Sequence, residues 1–209
     1  MSARPSTMAQ TKAVTALPDN ATEPGTRERW RAWLERHHGR KQGIWLVLWK
    51  KSSGKAQLEV DAAVEEALCF GWIDSKPRAL DTERSMLWFA PRKPGTGWSR
   101  PNKQRIERAV AAGRMTQAGL DKIEAAKRDG SWSKLDAVED LVVPPDLALA
   151  LARHGAAAAN FDAFPRSAKR GILEWIANAK RDATRAQRVL ETATLAARGE
   201  RANQWRRGA

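Results

Sequence analysis

From Thr26 onward the apolar residues recur in patterns that predict an alternation of helices and short strands. Trp30, Trp33, Leu34 and His37 fall at i, i+3, i+4 and i+7, one face of a helix starting near Thr26. Gly39 to Gly43 closes that helix, and Ile44–Trp49 is apolar without interruption. As a strand it turns Ile44, Leu46 and Leu48 to one side and Trp45, Val47 and Trp49 to the other. Such a strand is expected to be central and covered on both faces. Val60, Val64, Ala67 and Leu68 share the next helical face, with Asp61 as its expected N-cap and Gly71 as its natural stop. Glu65 and Glu66 sit opposite that stripe and read as a solvated face. Ile73–Leu80 and Met86–Pro91 predict a hairpin around Asp81–Arg84.

Pro91, Pro94, Gly95 and Gly97 mark a loop. Ser99 and Thr116 are expected caps of two further helices, the first tolerating Pro101 in its opening turn and the second running to about Arg128. Asp129–Pro145 reads as a domain boundary, and everything after it reads helical. Three stripes stand out: Leu147, Ala150, Leu151 and His154; Ala168, Ile172, Trp175, Ile176 and Ala179; Ala186, Val189, Leu190, Ala193 and Ala197. Pro165 and Asp182 are the expected helix starts. The fold class is therefore α+β: a small mixed sheet with helices over 25–135, then an all-helical module over 141–199. A disordered leader is expected over 1–24 and a basic tail over 200–209.

Composition narrows this picture. The chain has 209 residues, 42% of them hydrophobic, with ten Trp and no Tyr, so it can bury a core rather than remain unfolded. One cysteine excludes a disulfide scaffold and a cysteine metal cluster. No apolar run approaches the roughly 20 residues of a spanning helix. The apolar stretch Ala13–Leu17 is broken by Thr15 and falls short of a signal peptide, so the expected location is cytoplasmic. The net charge is +13. Most of it belongs to the expected folded body, where it can act as a fixed field. It concentrates in two windows, Lys76–Arg108 and Phe164–Arg188.

Candidate chemistry was weighed against structural roles for the same residues. Cys69, with Asp74 nearby and three His elsewhere, is the obvious catalytic candidate. Its neighbours Phe70, Trp72 and Ile73 favour a buried thiol, and burial opposes the thiolate. Asp74 either acts as a base or pairs with an arginine. His37, His38 and His154 lack the i, i+4 spacing of a zinc-binding helix, so no metal and no cofactor are expected. The basic window is more suggestive. Lys76, Arg78, Arg84, Trp88, Arg92, Lys93, Trp98, Ser99, Arg100 and Lys103 interleave cations with aromatics. Cations beside stacking platforms suit single-stranded nucleic acid, and the helix start at Ser99 could receive a phosphate. The same aromatics also fit a hydrophobic core.

Several blocks carry a family resemblance. Val64-Glu-Glu-Ala-Leu-Cys-Phe-Gly-Trp-Ile-Asp-Ser-Lys-Pro-Arg78, Trp88-Phe-Ala-Pro-Arg-Lys-Pro-Gly95, Trp98-Ser99 and Asn102-Lys103 are similar to the YdeI/OmpD-associated, bacteriocin-protection family. So are Pro144, Asp146-Leu147, Phe164-Pro165, Lys169-Arg170, Trp175-Ile176, Ala179-Lys180, Thr184-Arg185 and Arg188. The resemblance implies a non-enzymatic stress or envelope-resistance role against cationic antimicrobial peptides, with a porin as a suggested protein partner. It supplies no reaction. The family is sometimes described as periplasmic, whereas this sequence reads as lacking a signal peptide. The alternatives are a nucleic-acid or phosphoanion binder using the 76–108 face, and a Cys69-dependent enzyme. A cationic protein does not attract cationic peptides, so any protection is expected to be indirect, and the charge favours an anionic partner: nucleic acid, phosphate or an acidic surface.

Overall fold

A computed structural model describes residues 15–55 and 58–204. These divide into two compact units. The first comprises the described residues of 1–94 and 104–125, the second those of 95–103 and 126–209. The expected boundary at 129–145 thus falls earlier, at 125/126, and a short segment around Gly95–Lys103 belongs with the C-terminal unit.

In the first unit, strands β1 (Ala21–Thr22), β2 (Ile44–Trp49), β3 (Trp72–Ala79) and β4 (Arg84–Pro91) form one mixed sheet in the order β1-β2-β4-β3. Helices α1 (Arg27–His37) and α2 (Val60–Cys69) precede the β3–β4 hairpin. β2 is central and buried along nearly its whole length. Its register sets Ile44 opposite Phe89 and Leu46 opposite Leu87. Phe89 meets Trp30 of α1 at 5.3 Å between ring centroids. On the other face Trp45, Val47 and Met86 form a smaller cluster with Ala21, Leu80 and Trp88. The two-sided apolar pattern of β2 therefore reflects two distinct apolar layers. β3 is an edge strand with a register shift between Asp74 and Pro77, and Ser75–Ala79 are exposed.

Thr26 caps α1, its hydroxyl accepting from the Arg29 amide. The cap expected of Asp61 is not made. Glu59 holds the N-cap position, and Asp61 lies in the first turn of α2, facing arginines instead. The leader expected to run to residue 24 is ordered in its described part from Pro18 onward. The Ala21 amide bonds the Pro18 carbonyl, β1 pairs in parallel with β2, and Glu23 bonds Arg84. The remainder of that leader, 1–14, and the tail residues 205–209 lie outside the described residues.

Helix α3 (Arg100–Ala111) begins after Ser99, and α4 (Gln117–Arg128) after Thr116. The Thr116 hydroxyl does not cap its helix. It donates to the Cys69 carbonyl at 2.6 Å, pinning the start of α4 to the end of α2. Gly119 makes that approach possible, because a Cβ there would stand 2.3 Å from the Cys69 carbonyl oxygen.

The second unit is helical: α5 (Asp136–Glu139), α6 (Pro145–Ala152), α7 (Ala157–Ala163), α8 (Arg166–Ala177) and α9 (Asp182–Ala197). Helices α5 and α7, of four and seven residues, are too short to announce a period. Leu147, Leu151, Phe161, Ile172, Ile176, Val189 and Ala193 meet in one core. The third stripe is rotated from its expected position: Val189, Thr192, Ala193 and Ala196 are buried, while Leu190 is 55% exposed. Thr192 can face inward because its hydroxyl donates to the Arg188 carbonyl one turn back.

Two alanine substitutions should separate a close backbone approach from open helix surface. Gly119→Ala is expected to lose about 1–3 kcal/mol through overpacking against Cys69. Gly171→Ala, in the interior of α8 with no atom near its Cβ position, is expected to gain about 0.5–1 kcal/mol. Urea unfolding of both variants measures the signs.

Candidate functional site

The centre of the first unit is a pair of buried carboxylates. Glu65 and Glu66, expected on a solvated face, are 4% and 1% exposed. The pattern of α2 misled because its polar face turns toward arginines of other elements rather than toward water. Arg27 of α1 donates to both carboxylates at 2.7 Å, and Arg31, one turn on, donates to Glu66 at 2.8 Å. Arg108 of α3 reaches Glu65 at 2.9 Å, and Arg114 bonds the same carboxylate. Adjacent buried carboxylates would repel and pull protons at high cost if unpaired. Four guanidiniums remove that penalty. Burial alone would raise the Glu65 pKa, but the hydrogen bonds from Arg27, Arg108 and Arg114 outweigh it and hold the carboxyl below its ordinary value.

Beside this cluster, Cys69 is completely buried. Burial and the neighbouring Glu66 charge push its thiol up to about 11, against the pull of Arg31 and Arg114. A thiol with that pKa carries negligible thiolate at neutral pH. Asp74 faces a different environment: its charge is felt by Arg92, whose pKa burial pushes down to about 10. Among the described residues, no group of three His, Cys, Asp or Glu is placed to hold a metal ion.

The residues of the basic window are divided between the two units. Lys76 and Arg78 lie exposed on β3, and Lys93 is exposed beyond β4. Arg84 is 3% exposed and bonded to Asp81 and Glu23. Arg92 is buried, its amide bonded to the Gly71 carbonyl. Trp88 is half-buried against Trp45, with centroids 5.1 Å apart. Trp98, Ser99, Arg100 and Lys103 belong to the second unit. There Trp98 packs on Trp132, Arg100 bonds Asp140 at 2.7 Å, and Lys103 bonds Asp136. The helix start at Ser99 already faces an internal anion, since the Arg100 amide donates to the buried Glu139 carboxylate. A hydrogen bond from Arg170 holds that carboxyl below its usual range.

A cavity of about 450 Å³ in the first unit gathers cations that the sequence reading did not single out for a ligand. Its floor is Phe70, Gly71 and Trp72, the turn from α2 into β3. Gly71 needs its left-handed backbone (φ +74°) for that turn. A Cβ on it would strike the Lys122 side chain at 2.6 Å. One wall is α4, which presents Ala118, Asp121, Lys122 and Ala125 at i, i+3, i+4 and i+7. The other wall is the loop His38–Lys41 that follows α1. Trp72 Nε1 donates to the His38 carbonyl at 2.8 Å and fastens this loop to the floor. The 118/121/122/125 spacing and the Phe-Gly-Trp turn were the readable signals. Arg40 and Lys41 were hidden in a stretch that looked like a mere helix stop.

The helical unit has its own cavity of about 480 Å³, lined by residues of α6 and α9 including Ala150, Arg153, His154, Asp182, Val189 and Leu190. Asp146 and Arg185 close part of its rim with two bonds of 2.7 and 3.0 Å, so its charges are largely balanced internally.

Several residues that carried the family resemblance have a structural task in this unit: Asp146 and Arg185 pair, Arg170 holds Glu139, and Arg188 lies over the Trp175 ring. Residues 140–199 match the family model described as bacteriocin-protection, YdeI or OmpD-associated. Over this segment the chain is similar to the YdeI/OmpD-associated family. Residues 22–122 match a different model, a domain of unknown function (DUF8412). The Cys-Phe-Gly-Trp block and the buried carboxylate pair both lie within it. No curated protein and no solved structure matches the chain.

Glu66→Ala should cost about 3 kcal/mol, the low end for breaking a buried ion pair, because Arg27 and Arg31 are partly exposed and can recover water. The depressed Glu65 pKa also sets a pH dependence. Its contribution is complete above the ordinary glutamate pKa and is lost as pH falls through the lower folded value. Urea midpoints measured from neutral to acid pH should fall in that window, and by less in Glu65→Gln. Native Cys69 should resist a disulfide thiol reagent at mildly alkaline pH and react only on unfolding.

Proposed function

We propose that this chain is a non-enzymatic resistance protein of the bacteriocin-protection type. The observation that carries this reading is the match of residues 140–199, with its ion-paired Asp146, Arg170, Arg185 and Trp175–Arg188 framework, to that family's model. Two features support a binding role over catalysis. The sole cysteine is buried with its thiol pKa raised to about 11. The charge of the first unit is arranged around fixed carboxylates and a cationic cavity rather than around a polarised nucleophile. No helix among the described residues is long and apolar enough to cross a membrane. The role is proposed to be exercised from the cytoplasm through an anionic or protein partner, since a protein of net charge +13 repels cationic peptides.

Deleting the gene should lower survival under a cationic peptide such as polymyxin. Restoring the wild-type chain, or Cys69→Ser, should recover it. Unchanged survival after deletion removes this role, and failure of a folded Cys69→Ser chain to complement would return the cysteine to consideration.

A further inference from the structure

We propose that the cavity floored by Phe70, Gly71 and Trp72 is a binding site for a small phosphomonoester of nucleotide size. This goes beyond the resistance role and does not rest on it. The distinguishing observation is which cations lack an internal carboxylate partner; Arg40 lies over the Trp33 ring at 5.9 Å. Arg27, Arg31, Arg108 and Arg114 are committed to Glu65 and Glu66, and Arg84 to Asp81 and Glu23. Around the cavity stand Arg40, Lys41 and Lys122. Among the described residues, none of these three has a carboxylate within ion-pairing distance. Asp121 is the single acidic residue in the lining. Three cations facing one carboxylate leave the cavity charged for a dianion.

His38 adds a directional group. Its Nδ1 lies 3.0 Å from the Leu34 carbonyl oxygen, which can only accept, so Nδ1 carries a proton. Nε2 is thereby left as the ring's second contact point. The imidazole packs 5.5 Å from Phe70, and Arg31 covers that ring at 5.2 Å, linking the cavity floor to the buried carboxylate cluster. Phe70, Trp72, Pro91, Ala118 and Ala125 supply an apolar wall for the organic body of the ligand. A volume of about 450 Å³ lies within the range of small-molecule sites and is too small for a folded macromolecular segment. The apolar floor selects an ester over inorganic phosphate. The cations select the phosphorylated form over its neutral parent.

The test is calorimetric titration of the full chain with AMP, adenosine and inorganic phosphate at low salt. AMP should bind saturably with one site, adenosine undetectably, and phosphate more weakly than AMP. Arg40→Gln with Lys122→Gln should weaken AMP by about tenfold or more, the loss expected from removing two charge-assisted contacts. These side chains make no ion pair, so the unfolding midpoint should hold. Lys93→Gln, outside the cavity, should leave AMP affinity unchanged. Absence of AMP binding overturns the proposal, as does equal weakening by Lys93→Gln. So does a single-stranded oligonucleotide that binds with an affinity insensitive to Arg40→Gln/Lys122→Gln while AMP does not bind. None of these outcomes bears on the survival assay, so the two readings fail separately.

Discussion

Two adjacent carboxylates out of water are the constraint around which the first unit is organised. Glu65 and Glu66 cannot share the interior of α2 unless cations arrive from elsewhere in the chain. Those cations come from α1, from α3 and from the turn after it, so satisfying the pair fixes three segments around one helix. The end of α2 inherits that placement. Cys69 is sealed in, its carbonyl receives Thr116, and the chain turns at Gly71 to form a cavity floor. Hydrophobic burial holds this unit together, but the carboxylates decide which way α2 is rotated.

How much of this could be read from the chain depended on whether the determining contacts were local. Thr26, the continuous run Ile44–Trp49 and the hairpin around Asp81–Arg84 act through neighbours in sequence, and each element appears where its pattern predicts. Asp81 shows why: its carboxylate accepts from the amides of Glu83 and Arg84, so the turn is closed by its own residues. Glu65 and Glu66 were opaque because their partners lie 35 or more positions away. A polar face turned toward arginines has the same sequence as one turned toward water. Leu190 failed for a related reason. Its stripe competes with one bearing Thr192, and only the hydroxyl's bond to the preceding turn lets the polar residue win the inside. In the 76–108 window, Arg84, Arg100 and Lys103 already have carboxylate partners, which charge density along a chain does not reveal.

That distinction changes what a net charge of +13 means for this protein. Many of its arginines are structural members, each fixed to a carboxylate by bonds near 2.7 to 3.0 Å. They contribute to the long-range field, but each already has its charge answered by a carboxylate of the protein. The cations around the Phe70–Trp72 cavity are of the other kind: Arg40 lies over the Trp33 ring, and neither it nor Lys41 nor Lys122 is paired with a carboxylate among the described residues. The helical segment follows the same pattern, with Asp146–Arg185 bracing α6 against α9 and Glu139–Arg170 bracing α5 against α8. In both units arginine does what its planar, multi-donor group does best, bridging the polar faces of neighbouring elements.

The edge strand β3 gives the exposed cations of the hairpin a meaning unrelated to ligands. A strand with open backbone groups invites another chain to pair with it and propagate a sheet. Here the exposed half of the strand reads Ser75-Lys76-Pro77-Arg78-Ala79, with its register broken between Asp74 and Pro77. Proline withholds an amide, the irregularity spoils the alignment, and two like charges would meet their counterparts in any copy laid alongside. Lys76 and Arg78 thereby act as a guard against self-association, keeping a tryptophan-rich sheet from growing outward into an aggregate.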